Sequence, residues 1–111
     1  MSNELITEEE VERALTWLRD SATEIGEAKA YAVKTEKMVK HTKAILMKKH
    51  AELGIGAQER EAYADDLYVA AVDAEATAAG EYEKMKALRE AAAMRIDCWR
   101  SMSANYRSMK I

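Results

Sequence analysis

Lys48-Lys49-His50-Ala51-Glu52-Leu53-Gly54-Ile55-Gly56 is the stretch on which the fold of this chain turns. Nothing upstream of Gly54 stops a helix: proline is absent, and the only earlier glycine is Gly26. A single interior glycine weakens a helix by about 1 kcal/mol against alanine without ending it. A glycine just past a helix end takes the left-handed cap, and basic side chains gather in the last turn. Gly54-Ile55-Gly56 therefore reads as the turn closing a helix over about residues 8–53.

Charge on either side of this turn gives the pairing. Residues 1–27 hold eight acidic and two basic side chains, and residues 28–53 hold two acidic and seven basic. Residues 54–83 hold eight acidic and one basic, and residues 84–111 hold two acidic and seven basic. The block charges are −6, +5, −7 and +5. Each half begins acidic and ends basic, as the helix dipole prefers. An antiparallel pairing sets each acidic block beside a basic one, whereas a parallel pairing sets like against like. The expected fold is all-α: one domain over residues 1–111, a long antiparallel helical hairpin with coiled-coil character.

Composition agrees. One third of the 111 residues are charged, phenylalanine is absent, and alanine, glutamate, lysine and methionine dominate, as in long helices and coiled coils. No apolar run is long enough to span a membrane. The acidic start MSNELITEEE has no apolar signal core, and the lone Cys98 fits a reducing compartment. The expected location is the cytoplasm, without membrane partners.

Local signals set the helix bounds. Thr7 with Glu10 forms a capping box, and Ile6 with Val11 a hydrophobic staple. Val11, Leu15, Leu18, Ala22 and Ile25 step by four and three, the spacing of a coiled-coil core stripe. The stripe then changes phase to Ala28, Ala32, Thr35, Val39, Thr42 and Leu46. Past the turn, residues 57–64 read as a short helical segment; the alternative is a second helix that starts at once near Ala57, and the break is the preferred reading. Asp65 or Asp66 then caps a second long helix over about 66–109. Its stripe is Leu67, Ala71, Ala74, Ala78, Met85, Leu88, Ala92, Trp99, Met102, Tyr106 and Met109, interrupted at Glu81 and Arg95. Trp99, Met102, Tyr106 and Met109 are expected to face Val11, Leu15 and Leu18.

Two helices alone bury one narrow stripe each, a thin core for so much ordered backbone. Trp17, Tyr31, Met38 and Ile45 share one heptad position off that stripe. They are the expected self-association surface, through which a homodimer would complete a four-helix bundle.

A search for chemistry finds no catalytic, cofactor-binding or metal-binding constellation. His41 and His50 are nine residues apart, on opposite sides of one helix, and read as solvated. Cys98 reads as a partly buried packing residue with no activating base. Gly54 and Gly56 lack the Lys-Ser/Thr pair of a phosphate loop. Glu8-Glu9-Glu10 and Asp65-Asp66 lie at helix starts, where capping explains them. The basic block offers Lys34, Lys37, Lys40, Lys48 and Lys49 as nucleic-acid contacts, but arginine, the usual base reader, is missing from it. Mimicry of DNA by the acidic blocks conflicts with a net charge of only −3.

Three segments are not generic coiled coil. Leu46-Met47-Lys48-Lys49-His50, Ala57-Gln58-Glu59-Arg60-Glu61-Ala62-Tyr63-Ala64-Asp65 and Arg89–Arg100 together resemble a family of small helical proteins encoded by tailed phages and prophages. That family's pattern is a lysine-rich helix, an EREAYA turn region and a closing Ile-Glu-x-Trp-Arg segment. Here the closing segment is Ile96-Asp97-Cys98-Trp99-Arg100, a mild variant. The resemblance spans roughly residues 40–107 and carries no catalytic residues. Its members are often encoded beside single-strand annealing proteins and nucleases. It therefore implies a non-enzymatic accessory to DNA recombination or replication, acting in a bacterial host cytoplasm.

The expected role is protein–protein interaction, with a phage recombination protein as the partner. One alternative is counter-defence, inhibiting a host nuclease or CRISPR complex; a second is direct DNA binding. The expected contact surface is the hairpin tip: Arg60, Glu61, Tyr63, Asp65, Asp66 and Tyr68. The opposing reading is that Tyr63 and Tyr68 pack back to close the hairpin. Trp99 is expected in the core, and Arg100 is expected to pair with Glu10 or Glu12.

Overall fold

The computed structural model describes residues 6–109. Four helices follow one another: α1 (Glu8–Asp20), α2 (Ala22–Lys49), α3 (Ile55–Ala64) and α4 (Asp66–Met109). No strand occurs among the described residues. The fold is an all-α helical hairpin, with α1 and α2 forming the first arm, α4 the second, and α3 in the connection. Packing divides the chain into two units, Met1–Ile25 with Lys84–Ile111, and Gly26–Glu83.

In the first unit α1 starts as its sequence dictates. The Thr7 hydroxyl accepts a hydrogen bond from the Glu10 N–H at 3.2 Å, satisfying one of the free donors at a helix start. Ile6 packs against the cluster of Val11, Ala14 and Ile96, as do Leu18, Ala92 and Trp99. The core side of α1 is thus the buried Val11 and Ala14 with the half-buried Leu18, not Val11, Leu15 and Leu18. Leu15 is 53% exposed, which corrects its assignment to the stripe. Tyr106 and Met109, expected over α1, are exposed as well.

The first arm was expected to be continuous, but its α-helix is interrupted at Ser21, with φ −89° and ψ 0°. The Arg89 Nη1 donates to the Leu18 carbonyl at 2.7 Å and also to the Ser21 hydroxyl. That carbonyl is the acceptor helix geometry offers to the Ala22 N–H, so the guanidinium competes for it. A side chain inserted into the helical ladder is a recognised cause of such irregularities. The interruption is one residue long. Ser21 N–H still donates to the Trp17 carbonyl at 2.8 Å, and Ile25 N–H to the Ser21 carbonyl at 2.9 Å.

The expected change of phase along the first arm does not occur. Residues 11, 14, 18, 21, 25, 28, 32, 35, 39, 42 and 46 are each buried or half-buried, stepping by three and four throughout. Along α4 the covered positions are 68, 71, 75, 78, 82, 85, 89, 92, 96, 99, 102 and 103. One of the two expected lines is therefore present: Ala71, Ala78, Met85, Ala92 and Trp99. The other is Tyr68, Glu75, Tyr82, Arg89, Ile96 and Ser103 in place of Leu67, Ala74, Leu88 and their neighbours, although Met102 is also half-buried as expected. Long amphipathic side chains cover apolar surface with their stems, so Tyr68 and Arg89 fill the core positions that the reading by hydrophobicity gave to Leu67 and Leu88. Leu67 and Leu88 are exposed.

In the second unit the buried residues are Thr35, Leu46, Ala62 and Ala78. The Thr35 hydroxyl donates to the carbonyls of Tyr31 and Ala32, each at 3.0 Å, so its burial leaves no polar atom unsatisfied. The first arm ends at Lys49, four residues before the expected end. His50 N–H bonds to the Met47 carbonyl at 3.1 Å and Leu53 N–H to the His50 carbonyl at 3.0 Å, the tight turns that close many helix ends. The left-handed glycine cap does not form: no glycine among the described residues has positive φ. Gly54 is instead the extended N-cap of α3 (φ −65°, ψ 160°), so α3 begins at Ile55 rather than at 57. The Gln58 side-chain amide donates to the Leu53 carbonyl at 2.8 Å. The break before α4 falls where expected. Asp65 is extended, and its carboxylate accepts from the Leu67 N–H at 2.8 Å.

Candidate interaction surfaces

The turn region, within the second unit, has an ordered polar and aromatic framework. Tyr63 and Tyr68 meet edge to face, with centroids 5.2 Å apart and planes at 72°. The Lys43 Nζ donates to the Tyr63 hydroxyl at 2.8 Å and lies 3.9 Å from Glu59 Oε1. The same nitrogen is 4.7 Å from the Tyr63 ring centroid, a distance that follows from its bond to the hydroxyl. The Tyr63 hydrogen bond and the negative charge of Glu59 hold the Lys43 amine above its ordinary pKa.

The six expected tip residues divide by what they do. Tyr63, Tyr68 and Asp65 build the turn: two by ring packing, one by capping α4. Arg60, Glu61 and Asp66 are exposed and make no side-chain hydrogen bond or ion pair with described residues. Reading the sequence missed Leu53, taken as the last residue of the first helix, and Ile55, taken only as a turn residue. Ile55 is 72% exposed, and Leu53 before it and Tyr63 farther along α3 are exposed as well. The signal was present, since an isoleucine between two glycines has no turn chemistry of its own.

The five lysines proposed for nucleic acid, Lys34, Lys37, Lys40, Lys48 and Lys49, are all exposed. None forms an ion pair among the described residues, so these five are solvated, whereas Lys43 of the same block pairs with Glu59. Of the expected self-association residues, Tyr31, Met38 and Ile45 are exposed on α2. Trp17 belongs to the first unit and is half-buried in a shallow hollow with Glu12, Arg13, Thr16 and Asp20.

The first unit carries an open groove of about 880 Å³, lined by Ile6, Glu8, Glu9, Trp99, Met102 and Tyr106 among others. Two expectations for this unit need correction. Arg100 reaches Asp97, at 3.9 Å on its own helix, and not Glu10 or Glu12. Cys98 is exposed, because the core positions beside it are Ile96 and Trp99. Among the described residues no three His, Cys, Asp or Glu side chains are grouped to hold a metal ion. His41 is exposed, and His50 Nδ1 lies 3.8 Å from Glu52 Oε1. No helix among the described residues is long and apolar enough to cross a membrane. No protein-family model, curated protein or solved structure matches this chain.

Proposed function

We propose that this protein is a non-catalytic interaction module whose turn region engages another protein. The carrying observation is the surface around α3. It combines exposed Leu53, Ile55 and Tyr63 with the unpaired charges of Arg60, Glu61 and Asp66, on a framework fixed by the Lys43–Tyr63–Tyr68 contacts. Apolar anchors ringed by polar groups on a rigid element are what a protein interface needs. The resemblance over residues 40–107 supplies the setting. The partner is a protein of DNA recombination or replication: an annealing protein, a nuclease or a single-strand-binding protein.

The test is affinity capture from host cells with tagged wild type and with Ile55→Asp/Arg60→Glu. Both positions are exposed, so the variant should keep its helicity. Recovery of a recombination or replication protein by wild type alone supports the reading. Equal recovery by both proteins, or recovery of a host defence complex instead, overturns it.

A second reading is favoured by the five unpaired lysines: direct contact with a phosphate backbone. Such contacts release counterions, so affinity should fall steeply as salt rises. Lack of binding to single- or double-stranded DNA at low ionic strength would eliminate it.

A further inference from the structure

The second unit leaves one side of its helix pair apolar and uncovered. In α2 the covered positions Ala28, Ala32, Thr35, Val39, Thr42 and Leu46 fix the heptad register. Tyr31, Met38 and Ile45 each directly precede Ala32, Val39 and Leu46, so they form a line along one flank. In α4 the covered positions Ala71, Glu75, Ala78 and Tyr82 fix the register. Leu67, Ala74 and Glu81 occupy the equivalent flank there. Antiparallel helices are related by a two-fold axis that maps each side of the pair onto itself. Equivalent flanking positions of the two helices therefore share one side. Tyr31 (55% exposed), Ile45 (53%) and Leu67 (64%) thus lie on a common face with Met38 and Ala74.

The opposite side is already occupied by polar contacts. Lys29 Nζ lies 4.8 Å from the Tyr82 ring centroid, and Lys43 is held by Tyr63 and Glu59. Charge then selects the occupant of the apolar side. The α2 segment of this unit carries seven lysines and two glutamates, and the α4 segment five carboxylates and no basic residue. Among the described residues no ion pair joins α2 to α4, so the exposed Lys34, Lys37, Lys40, Lys48 and Lys49 of α2 and the exposed Asp66, Asp73, Glu81 and Glu83 of α4 are available to a partner. A second copy brings the same apolar line together with the opposite charge on each helix.

We infer that a second copy of this chain covers the face carrying Tyr31, Met38, Ile45 and Leu67, about a two-fold axis running along the helices. That axis lays α2 on the partner's α4, antiparallel and at the same level, so basic meets acidic twice in an isologous contact. A two-fold axis across the helices would stack α2 on α2 and lysine on lysine. The four helices then form an antiparallel bundle whose neighbours all alternate in direction. This inference is independent of the partner proposed for the turn region.

Sedimentation equilibrium tests it. Wild type should be dimeric at micromolar concentrations. Met38→Glu/Ile45→Glu should be monomeric with unchanged helicity by circular dichroism, since both residues are exposed. Lys34→Glu/Lys48→Glu should weaken the dimer roughly tenfold or more, as should Asp66→Lys/Asp73→Lys/Glu81→Lys. Mixing those two charge variants should restore a heterodimer. A wild type that stays monomeric at hundreds of micromolar overturns the inference. Charge variants that dimerise alone as tightly as wild type overturn the assigned axis.

Discussion

Arg89 is the residue whose behaviour departs furthest from its type. A charged side chain on a long helix is expected to face water, yet this one occupies a core position and bonds to Leu18 and Ser21 across the pair. Its pairing with Ser21, which is 3% exposed, explains how a serine fills a core position without an unsatisfied hydroxyl. Arg89→Met keeps the stem and removes the donors. The Leu18 carbonyl can still accept from the Ala22 N–H in the helical ladder, so the expected loss is about 1–2 kcal/mol by urea denaturation. A double-mutant cycle with Ser21→Ala should show coupling, and unchanged stability would reduce Arg89 to a surface charge. Lys43 gives a pH-dependent counterpart. Its hydrogen bond to Tyr63, with Glu59 nearby, raises its pKa in the folded state. The stabilisation is therefore complete below the ordinary lysine value of 10.5 and is lost as pH rises through the raised one. The melting difference between wild type and Lys43→Met should stay constant from neutral pH up to that value and shrink above it. A difference that does not change in alkali would assign the effect to packing.

The elements themselves were largely legible, and the departures have one cause. The start of α1 at Thr7 and the break at Asp65 follow from capping chemistry, which is local and so visible in sequence. The heptad register depends on which of two adjacent candidates faces the partner helix, and hydrophobicity alone chose the larger apolar residue. Leu15 was preferred to Ala14, Ala22 to Ser21 and Leu88 to Arg89. In each case the side chain that faces the partner is set by what it meets across the pair. Ala14 lies against Ile96 in the core cluster, and Ser21 is met by Arg89. Stability measurements separate the two registers. Leu15→Ala and Leu88→Ala should each change stability by no more than about 0.5 kcal/mol. Ile96→Ala and Leu46→Ala, at 8% and 3% exposure, should each cost about 2–4 kcal/mol. The reverse ranking would restore the register read from hydrophobicity. Of the candidate surface read from the sequence, Arg60, Glu61 and Asp66 are exposed. Tyr63 and Tyr68 turned out to be framework, and Ile55 was hidden by its place between two glycines.

At the scale of the molecule, the question is how alternating charge blocks act when so few ion pairs form. Each unit pairs an acidic arm with a basic one: α1 with the end of α4, and α2 with its beginning. Yet no described ion pair connects those arms. The described pairs are neighbours along one helix, as in Arg19–Asp20 and Arg100–Asp97, or lie at the turn, as in Lys43–Glu59. Contacts between exposed charges contribute only about 0–1 kcal/mol each in any case. The blocks must therefore act as a field, disfavouring the parallel alternative more than they tighten the antiparallel one. Lys37, Lys40 and Lys49 separate these two effects, because they are exposed and pair with nothing described. If only contacts mattered, Lys37→Glu/Lys40→Glu/Lys49→Glu would leave stability unchanged. If the field matters, it lays negative charge beside the carboxylates of α4. Stability should then fall by about 1 kcal/mol at low ionic strength. The loss should largely vanish at 1 M salt, where the Debye length shrinks to about 3 Å. A loss that persists at high salt would point to altered helix propensity, and no loss at any ionic strength would leave the charge pattern without a role in choosing the fold.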